Sequence, residues 1–402
     1  MTAGAEAAAP PRASARRRPL ARMVRALTSG PIRYLLLIVG ALWLVPSFGL
    51  LVASFRPSEV QATGWWNALS EPAQLTMENY VALIGRVEVS GDVRAAVVFA
   101  VVAVPLLIAS AGLSEGRRRS LGLGLGVVVG VAQAVAFAIV ADEWAAVIAV
   151  AAAVALWAAA RTALEARRWG RLAASVGLVL LVEVIALIPA GSGTLGALRN
   201  SVLITVPTSV LLVLVAASAA YAFAWTRFRG RDLLFLVVVG LLVVPIQIGL
   251  IPVADLYGKL GLFGTIPGVV LYHVAFGLPF AVFLLRNFFI GIPSELLEAA
   301  RMDGASEWRV FTRVVLPLGL PAIASLLIFQ FLWVGNDLLI ALVFAGSDAR
   351  PLTVAIQEQL RAFGGNIDVI APGSYIQMIV PLVVFFAFQR YFVQGLLAGS
   401  QR

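Results

Sequence analysis

The sequence predicts an all-α polytopic membrane protein, one whose chain crosses a bilayer many times. Hydrophobic residues make up 61% of the chain, charged residues only 13%, and the mean hydropathy is +0.95. A soluble fold does not need so large an apolar fraction, whereas a chain whose surface faces lipid does. Apolar runs of about 20 residues, the length of a helix that spans a bilayer, also recur along most of the sequence.

Several classes of function are excluded by the composition. The chain has no cysteine, so it has no disulfide, thiol nucleophile or cysteine-ligated metal. Its single histidine, His273, does not make a histidine metal site by itself. The net charge of +9 could indicate nucleic acid, but the arginines lie between apolar runs and not among surface aromatic residues. We therefore attribute the charge to membrane topology and predict no nucleic-acid partner and no metal.

The sequence of the N-terminal part predicts a tail followed by the first membrane span. Residues 1–33 are rich in Ala, Pro and Arg without apolar periodicity, which predicts a disordered basic tail. The next apolar run, Tyr34 to Phe55, could belong to a signal peptide, but its length of about 22 residues suits a retained span, assigned to 34–56. The arginines before it predict a cytoplasmic N-terminus: Arg12, Arg16, Arg17, Arg18, Arg22, Arg25 and Arg33.

The next part predicts an external loop and then an inserted block. Residues 57–92 are more polar and carry Trp65, Trp66 and Tyr80, which are typical of a membrane interface. Residues 93–190 contain four apolar runs, near 93–113, 121–141, 144–160 and 172–190. Arginines fall in the first and third gaps between these runs, and none in the second. This alternation predicts a four-helix insert of two hairpins with cytoplasmic basic ends, which leaves the orientation of the following spans unchanged.

The remainder, residues 198–402, predicts five more spans. They are expected near 200–225, 233–254, 267–290, 318–344 and 374–393. Arg227, Arg229 and Arg231 separate the first two and are predicted to be cytoplasmic. The predicted topology is ten spans with both termini in the cytoplasm.

One long segment in this part, Ile292 to Pro317, is too polar for a bilayer. Its sequence predicts two short helices around a turn, with Ser294 as a candidate N-cap, Gly304 as a left-handed helix end and Ser306 as the start of the second helix. By itself, this pattern would also suit an amphipathic connector resting on the membrane surface.

The residue order within the segment is more specific. Glu298-Ala299-Ala300, Asp303-Gly304-Ala305 and the residues Phe311, Val314, Leu316 and Pro317 give E-A-A-x-x-D-G-A followed by F-x-x-[IV]-x-L-P. This pattern resembles the cytoplasmic coupling loop in permease subunits of ATP-binding-cassette (ABC) importers. Val244-Pro245, Gly277-Leu278-Pro279-Phe280 and Gly335-Asn336-Asp337 look like the carbohydrate branch, specifically the maltose-type second permease. The resemblance covers residues 34–80 loosely and 198–402 closely.

The resemblance implies a type I importer permease core of six transmembrane helices, with the coupling loop at 292–317, to which the insert adds four helices. It implies a non-catalytic subunit that moves a sugar, such as an oligosaccharide or α-glucoside, across a bacterial plasma (inner) membrane. The implied partners are a second permease, a dimer of cytoplasmic ATPases and an external solute-binding protein. ATP and Mg would be held by the ATPases, which agrees with the lack of a phosphate loop around Lys259, the chain's only lysine.

The resemblance also assigns roles within the coupling loop. It implies that Gly304 makes the turn, that Glu298 and Asp303 meet polar groups of the ATPase, and that Trp308 and Phe311 anchor the second helix to the chain's own core. The residues assigned to coupling are Glu298, Ala299, Ala300, Asp303, Gly304, Ala305, Trp308, Phe311 and Pro317.

Intramembrane polar residues are candidates for the translocation pathway, namely Gln247, Asn336 and Asp337. Packing or interhelical hydrogen bonding is the alternative for each. The sequence departs from the family pattern here, because Gly335 takes the position of the family's tryptophan. Two rival functions stay open: an ion-coupled secondary carrier that uses Glu183 or Asp337 as its proton site, and an ABC importer permease for a non-sugar solute.

The absence of native cysteine allows the topology to be tested with single cysteines. Because basic loops stay in the cytoplasm, cysteines replacing Ser120 and Ala166 should react with an impermeant maleimide only from the cytoplasmic side. A cysteine replacing Ala141 should react only from outside. The reverse result at any two of these positions would contradict the ten-span topology.

Overall fold

The protein is described here from a computed structural model. It describes residues 31–70, 75–84, 103–110, 119–140, 193–360, 366–379, 381 and 382, with isolated helical positions between 149 and 180. Throughout these ranges the regular structure is helical, and the only β-type pairing is an isolated bridge between Gly264 and Ala345. The predicted all-α class is therefore confirmed for the part of the chain that is described.

Besides residues 103–110 and 367–379, which are helical as well, twelve helices have defined bounds within the described ranges. In chain order they are α1 (Pro31–Ser54), α2 (Glu78–Ile84), α3 (Arg119–Val140), α4 (Gly193–Trp225), α5 (Arg231–Leu241), α6 (Ile246–Leu260), α7 (Ile266–Phe289), α8 (Ser294–Met302), α9 (Glu307–Val310), α10 (Leu316–Gly335), α11 (Leu339–Phe344) and α12 (Leu352–Glu358). A π-helical turn, Phe311–Val315, joins α9 to α10, and short 3₁₀ turns cover Ser58–Thr63, Trp65–Leu69 and Ser347–Ala349.

Four helical stretches in the described ranges are long and apolar enough to cross a membrane: Tyr34–Ser54, Gly193–Trp225, Ile266–Phe289 and Glu307–Gly335. The bent pair α5 and α6 makes a fifth if both helices belong to one span. A multi-pass membrane protein is thereby confirmed. The tail 1–30, most of the insert and the end of the last predicted span lie outside the described residues, so the count of ten and the location of the termini stay predictions.

Two predicted spans are not continuous helices. Over 233–254, α5 ends at Leu241 and α6 begins at Ile246, and the two axes differ by 98°. Pro245 explains the break, because it has no N–H to donate and disfavours helical backbone in the residue before it. Its own backbone is extended, with φ of −63° and ψ of 133°. Over 318–344, α10 stops at Gly335 and a separate short helix, α11, follows.

The core is built around α7, which packs against α4, α5, α10 and α11. Small residues on α4 (Ala216, Ala217 and Ala220) are buried at this contact and let the helices approach closely. The same apolar cluster includes Leu297 and Phe311 from the polar segment that follows α7. The coupling loop and the spans therefore share one core.

The start of α7 gives a test of this packing. Thr265 caps the helix by accepting a hydrogen bond from the Gly268 N–H at 3.2 Å, and a Cβ on Gly268 would lie 2.2 Å from the Leu262 carbonyl oxygen. A backbone carbonyl cannot move aside to relieve such a clash as the end of a side chain can. Gly268→Ala should therefore destabilise the protein by about 1–3 kcal/mol. Thermal unfolding of the purified chain measures this.

The matched control is Gly258→Ala in α6, where an added Cβ meets nothing within 4 Å. A helical Gly-to-Ala change in open space should be neutral or stabilising, by up to about 1 kcal/mol. Equal melting temperatures for the two variants would contradict the packing described for the start of α7.

Candidate functional site

The polar segment between α7 and α10 folds into α8, a tight turn and α9. Helix α8 begins at Ser294, directly after Pro293, whose backbone is extended. Ser294 was expected to be the N-cap, but Pro293 occupies that position and no side chain caps the helix. The shift follows from proline, whose fixed φ suits the residue where an extended chain turns into a helix.

The turn after α8 is a Schellman motif, a helix end closed by two backbone hydrogen bonds around a left-handed residue. Gly304 has φ of +78°, its N–H donates to Arg301 O at 3.0 Å, and the Ala305 N–H donates to Ala300 O at 3.0 Å. Ala300 and Ala305 also pack together against the core cluster, as this motif prefers. The letters A-x-x-x-G-A within the sequence motif therefore have a local physical cause: glycine at the left-handed position and small apolar residues on either side.

Helix α9 begins after Ser306, as expected, and turns Phe311 inward. The Phe311 ring is 5% exposed and lies 5.1 Å from the Tyr221 ring of α4, centroid to centroid. Trp308 was expected to anchor to the core as well, but its side chain is 68% exposed. Its ring contact with the core is to Phe311, one turn later, because the centroids of the two rings are 5.7 Å apart.

A hydrogen-bonded ion pair ties the loop to the first core helix. Arg301 donates to both carboxylate oxygens of Glu307, from Nε at 2.9 Å and from Nη2 at 3.2 Å. Tyr221 on α4 donates its hydroxyl to Glu307 Oε2. The Glu307 carboxylate raises the pKa of Arg301 through its hydrogen bond, so the arginine stays charged. This cluster joins α8, α9 and α4.

The Arg301, Glu307 and Tyr221 cluster was missed by sequence reasoning. Opposite charges on either side of a glycine turn were a usable local signal for Arg301 and Glu307. Tyr221 lies 86 positions before Glu307, and no pattern connects residues at that distance.

Helix α8 presents one face outward and buries the other. Leu297 is fully buried in the core cluster, whereas Met302 is 88% exposed at the end of the helix. The predicted coupling residues divide between the two faces. Six of them are exposed: Glu298, Ala299, Asp303, Gly304, Trp308 and Pro317. Three are turned toward the core: Ala300, Ala305 and Phe311.

The three predicted pathway residues have different surroundings. Gln247 is exposed on the first turn of α6. Asn336 is exposed and lines a cleft of about 410 Å³, together with Ser374 and Gln377. Asp337 is mostly buried, and its Oδ2 accepts hydrogen bonds from the backbone N–H groups at the start of α11. Glu183 lies outside the described residues.

Comparisons with known proteins agree with this fold and loop. The family "Binding-protein-dependent transport system inner membrane component" matches residues 200–398. The osmoprotective compounds uptake permease protein GgtD of Synechocystis sp. is 52% identical over 52% of this chain and 71% of its own length. The arabinooligosaccharides transport system permease protein AraQ of Halalkalibacterium halodurans is 39% identical over 50% of this chain and 72% of its own length.

A third relative extends further along the chain. The alpha-glucoside transport system permease protein AglG of Rhizobium meliloti is 37% identical over 90% of this chain and 94% of its own length. So broad a match must include most of residues 93–190, which the family match from 200 to 398 does not reach. The chain belongs to the family of binding-protein-dependent transport system inner membrane components, the membrane-embedded permease subunits of ABC transporters.

Proposed function

We propose that this chain is one transmembrane subunit of an ATP-driven importer that moves a sugar, an oligosaccharide or α-glucoside, across a bacterial cell membrane. Family membership supports the importer, and the names of the relatives AglG and AraQ support a sugar as the cargo. The complex would contain a second permease, two cytoplasmic ATPases and an external solute-binding protein. The ATPases would hold ATP and Mg, and this chain would catalyse no reaction itself.

The observation that carries the proposal is the two-sided placement of α8. Its underside, with Leu297 fully buried, belongs to the core of the transmembrane bundle. Its other side exposes Glu298, Met302 and Asp303, a helical surface of apolar and acidic groups that nothing in the described chain covers. Such a surface suits insertion into a groove of an ATPase, in the helix-in-groove mode of recognition.

The loop is also built to transmit displacement to the spans. Tyr221 and Glu307 link α9 directly to α4, and the Phe311 ring packs against the Tyr221 ring. Helix α9 continues through the π-turn into α10, so the loop has a covalent path to one core helix and a hydrogen-bonded path to another. Pushing α8 would therefore move α4 and α10 together.

The rival proton-coupled carrier gains little support from the described residues. A carrier must exchange its proton with a pathway, but Asp337, one of its two candidate sites, has a side chain only 13% exposed, beside a cavity of about 10 Å³. A non-sugar cargo is the second rival, because the relative GgtD is named for osmoprotective compounds. Asn336 in its open cleft is the pathway residue best placed to meet a solute, because its amide oxygen can accept a hydrogen bond from a hydroxyl group.

A first prediction separates docking from backbone strain at the turn. Gly304→Asp introduces a side chain at φ of +78°, which costs about 1 kcal/mol, into a position open to a partner. We expect normal membrane levels but strongly reduced ATP-driven uptake and weaker copurification of the ATPase. Glu298→Ala should show the same defect more mildly, because α8 stays folded.

Gly230→Asp is the matched control for Gly304→Asp, because Gly230 has φ of +79° and equally open surroundings at the start of α5. Its uptake should remain close to that of the unmodified protein. Equal defects at the two glycines, or full transport by Gly304→Asp, would contradict a coupling role for the loop. A proton-coupled carrier would instead tolerate Glu298→Ala and respond to Glu183→Gln or Asp337→Asn.

A second prediction concerns the attachment of the loop. Glu307→Gln removes the charge that holds Arg301, and a partly exposed pair of this kind contributes roughly 0.5–1 kcal/mol. Backbone hydrogen exchange in α8 should then become about two- to five-fold faster. Glu295→Gln, on the exposed first turn of the same helix, should leave exchange unchanged. Unchanged exchange in Glu307→Gln would contradict the attachment through this carboxylate.

A further inference from the structure

The only histidine of the chain lies inside the helix bundle, opposite a carboxylate. His273 on α7 is 1% exposed, and its Nε2 lies 3.5 Å from Oδ2 of Asp337, between the end of α10 and the start of α11. Neither residue belongs to the coupling loop. Burial of two ionisable groups within a transmembrane bundle is costly unless each compensates the other, so their protonation requires a physical account.

The position of one proton on the ring follows from its neighbour along the helix. His273 Nδ1 lies 2.9 Å from the carbonyl oxygen of Val269, one turn earlier on α7. A carbonyl oxygen can only accept, so the contact requires Nδ1 to carry a hydrogen and donate it. In a neutral ring, Nε2 would then present a bare lone pair.

That lone pair would face another acceptor. Asp337 Oδ2 already accepts the N–H groups of Ile340 at 3.0 Å and Ala341 at 3.3 Å, which favours the ionised carboxylate. Two lone pairs at 3.5 Å repel each other in a low dielectric. A water molecule cannot lie between the two atoms and relieve this repulsion, because two acceptors bridged in line by one water are about 5.5 Å apart.

Among the described residues, the lining of the cavity beside the pair supplies no other charge to either group. The adjoining cavity has a volume of only about 10 Å³. Its lining in the described chain contains no titratable side chain besides His273 and Asp337; the other polar members are the hydroxyl residues Ser201, Thr205 and Thr353. The Ser201 hydroxyl oxygen accepts the Leu352 N–H, and the Thr353 hydroxyl donates to the Asp337 carbonyl oxygen.

From this geometry we propose that His273 and Asp337 form a proton-binding site, in which the ring is an imidazolium protonated on both nitrogens and paired with the carboxylate. The spacing of 3.5 Å is longer than a well-formed N–H···O bond of ~2.7–3.2 Å, so the contact is an ion pair and not a short hydrogen bond. Through this ion pair, the retained proton holds α7 against the break between α10 and α11. This site is independent of which solute the chain carries.

The test uses the fact that His273 is the single histidine of the chain. The full-length chain, labelled with ¹⁵N-histidine and reconstituted in lipid nanodiscs, would be measured by NMR at about pH 7.5, roughly one unit above the midpoint of a free imidazole. Both ring nitrogens should give the ¹⁵N shifts of protonated nitrogens. A neutral ring at this pH, in either tautomer, would overturn the proposal.

Two variants sharpen the result. Asp337→Asn keeps an oxygen that can cap α11 but removes the negative charge, so the ring should become neutral with its proton on Nδ1. Asp255→Asn, which removes an exposed carboxylate paired with Lys259 on α6, should leave the imidazolium signal unchanged. An imidazolium that persists in Asp337→Asn would show that the carboxylate does not hold the proton. The spectrum of the unmodified chain decides the matter even if Asp337→Asn fails to fold.

Discussion

The burial of one side of α8 against the ends of the transmembrane helices is the interaction on which the working of this permease depends. A coupling loop has two requirements. Its outer side must be polar enough to bind a partner protein, and its inner side must be fixed to the spanning helices that it moves. Leu297 and Phe311 meet the second requirement by entering the same apolar cluster as α4, α7 and α10. The Glu307 carboxylate, bound by Arg301 and Tyr221, adds a directional contact that apolar packing cannot supply.

The Schellman turn at Gly304 makes this arrangement possible in a short segment. It ends α8 within one residue and returns the chain toward α4, so that Glu307 can reach Tyr221. A residue with a Cβ would resist the left-handed backbone at this point. The conformational freedom of one glycine thus determines where the following helix, and with it the carboxylate, is positioned.

Breaks in the spanning helices create the polar interior. Helix α10 stops at Gly335, and the N–H groups that open at the start of α11 are satisfied by the side chain of Asp337. Free backbone N–H groups and an unpaired carboxylate would each be costly inside a membrane, and here the carboxylate accepts hydrogen bonds from those N–H groups. His273 Nε2 lies 3.5 Å from the same carboxylate. The break at Pro245 has a different cause, since proline removes a donor and leaves no charge behind.

Much of this protein is determined by its sequence alone, because much of it depends on interactions over a few residues. Apolar runs long enough for a bilayer identify the all-α membrane class, and the motif from Glu298 to Ala305 identifies both the turn and the family, since a Schellman turn is closed by bonds within one helical end. The sequence also identifies Gly304 as the residue that makes that turn.

Only the tertiary structure decided features that depend on contacts between distant segments. Hydropathy cannot detect the 98° bend between α5 and α6, because both halves remain apolar. It also could not show that Trp308 points outward while Phe311 points inward, because which side of α9 is buried depends on α4. Tyr221 meets Glu307, and His273 meets Asp337, only after α4, α7 and α10 have packed, since electrostatic and hydrogen-bonded contacts act over a few ångströms in space, whatever the separation along the chain.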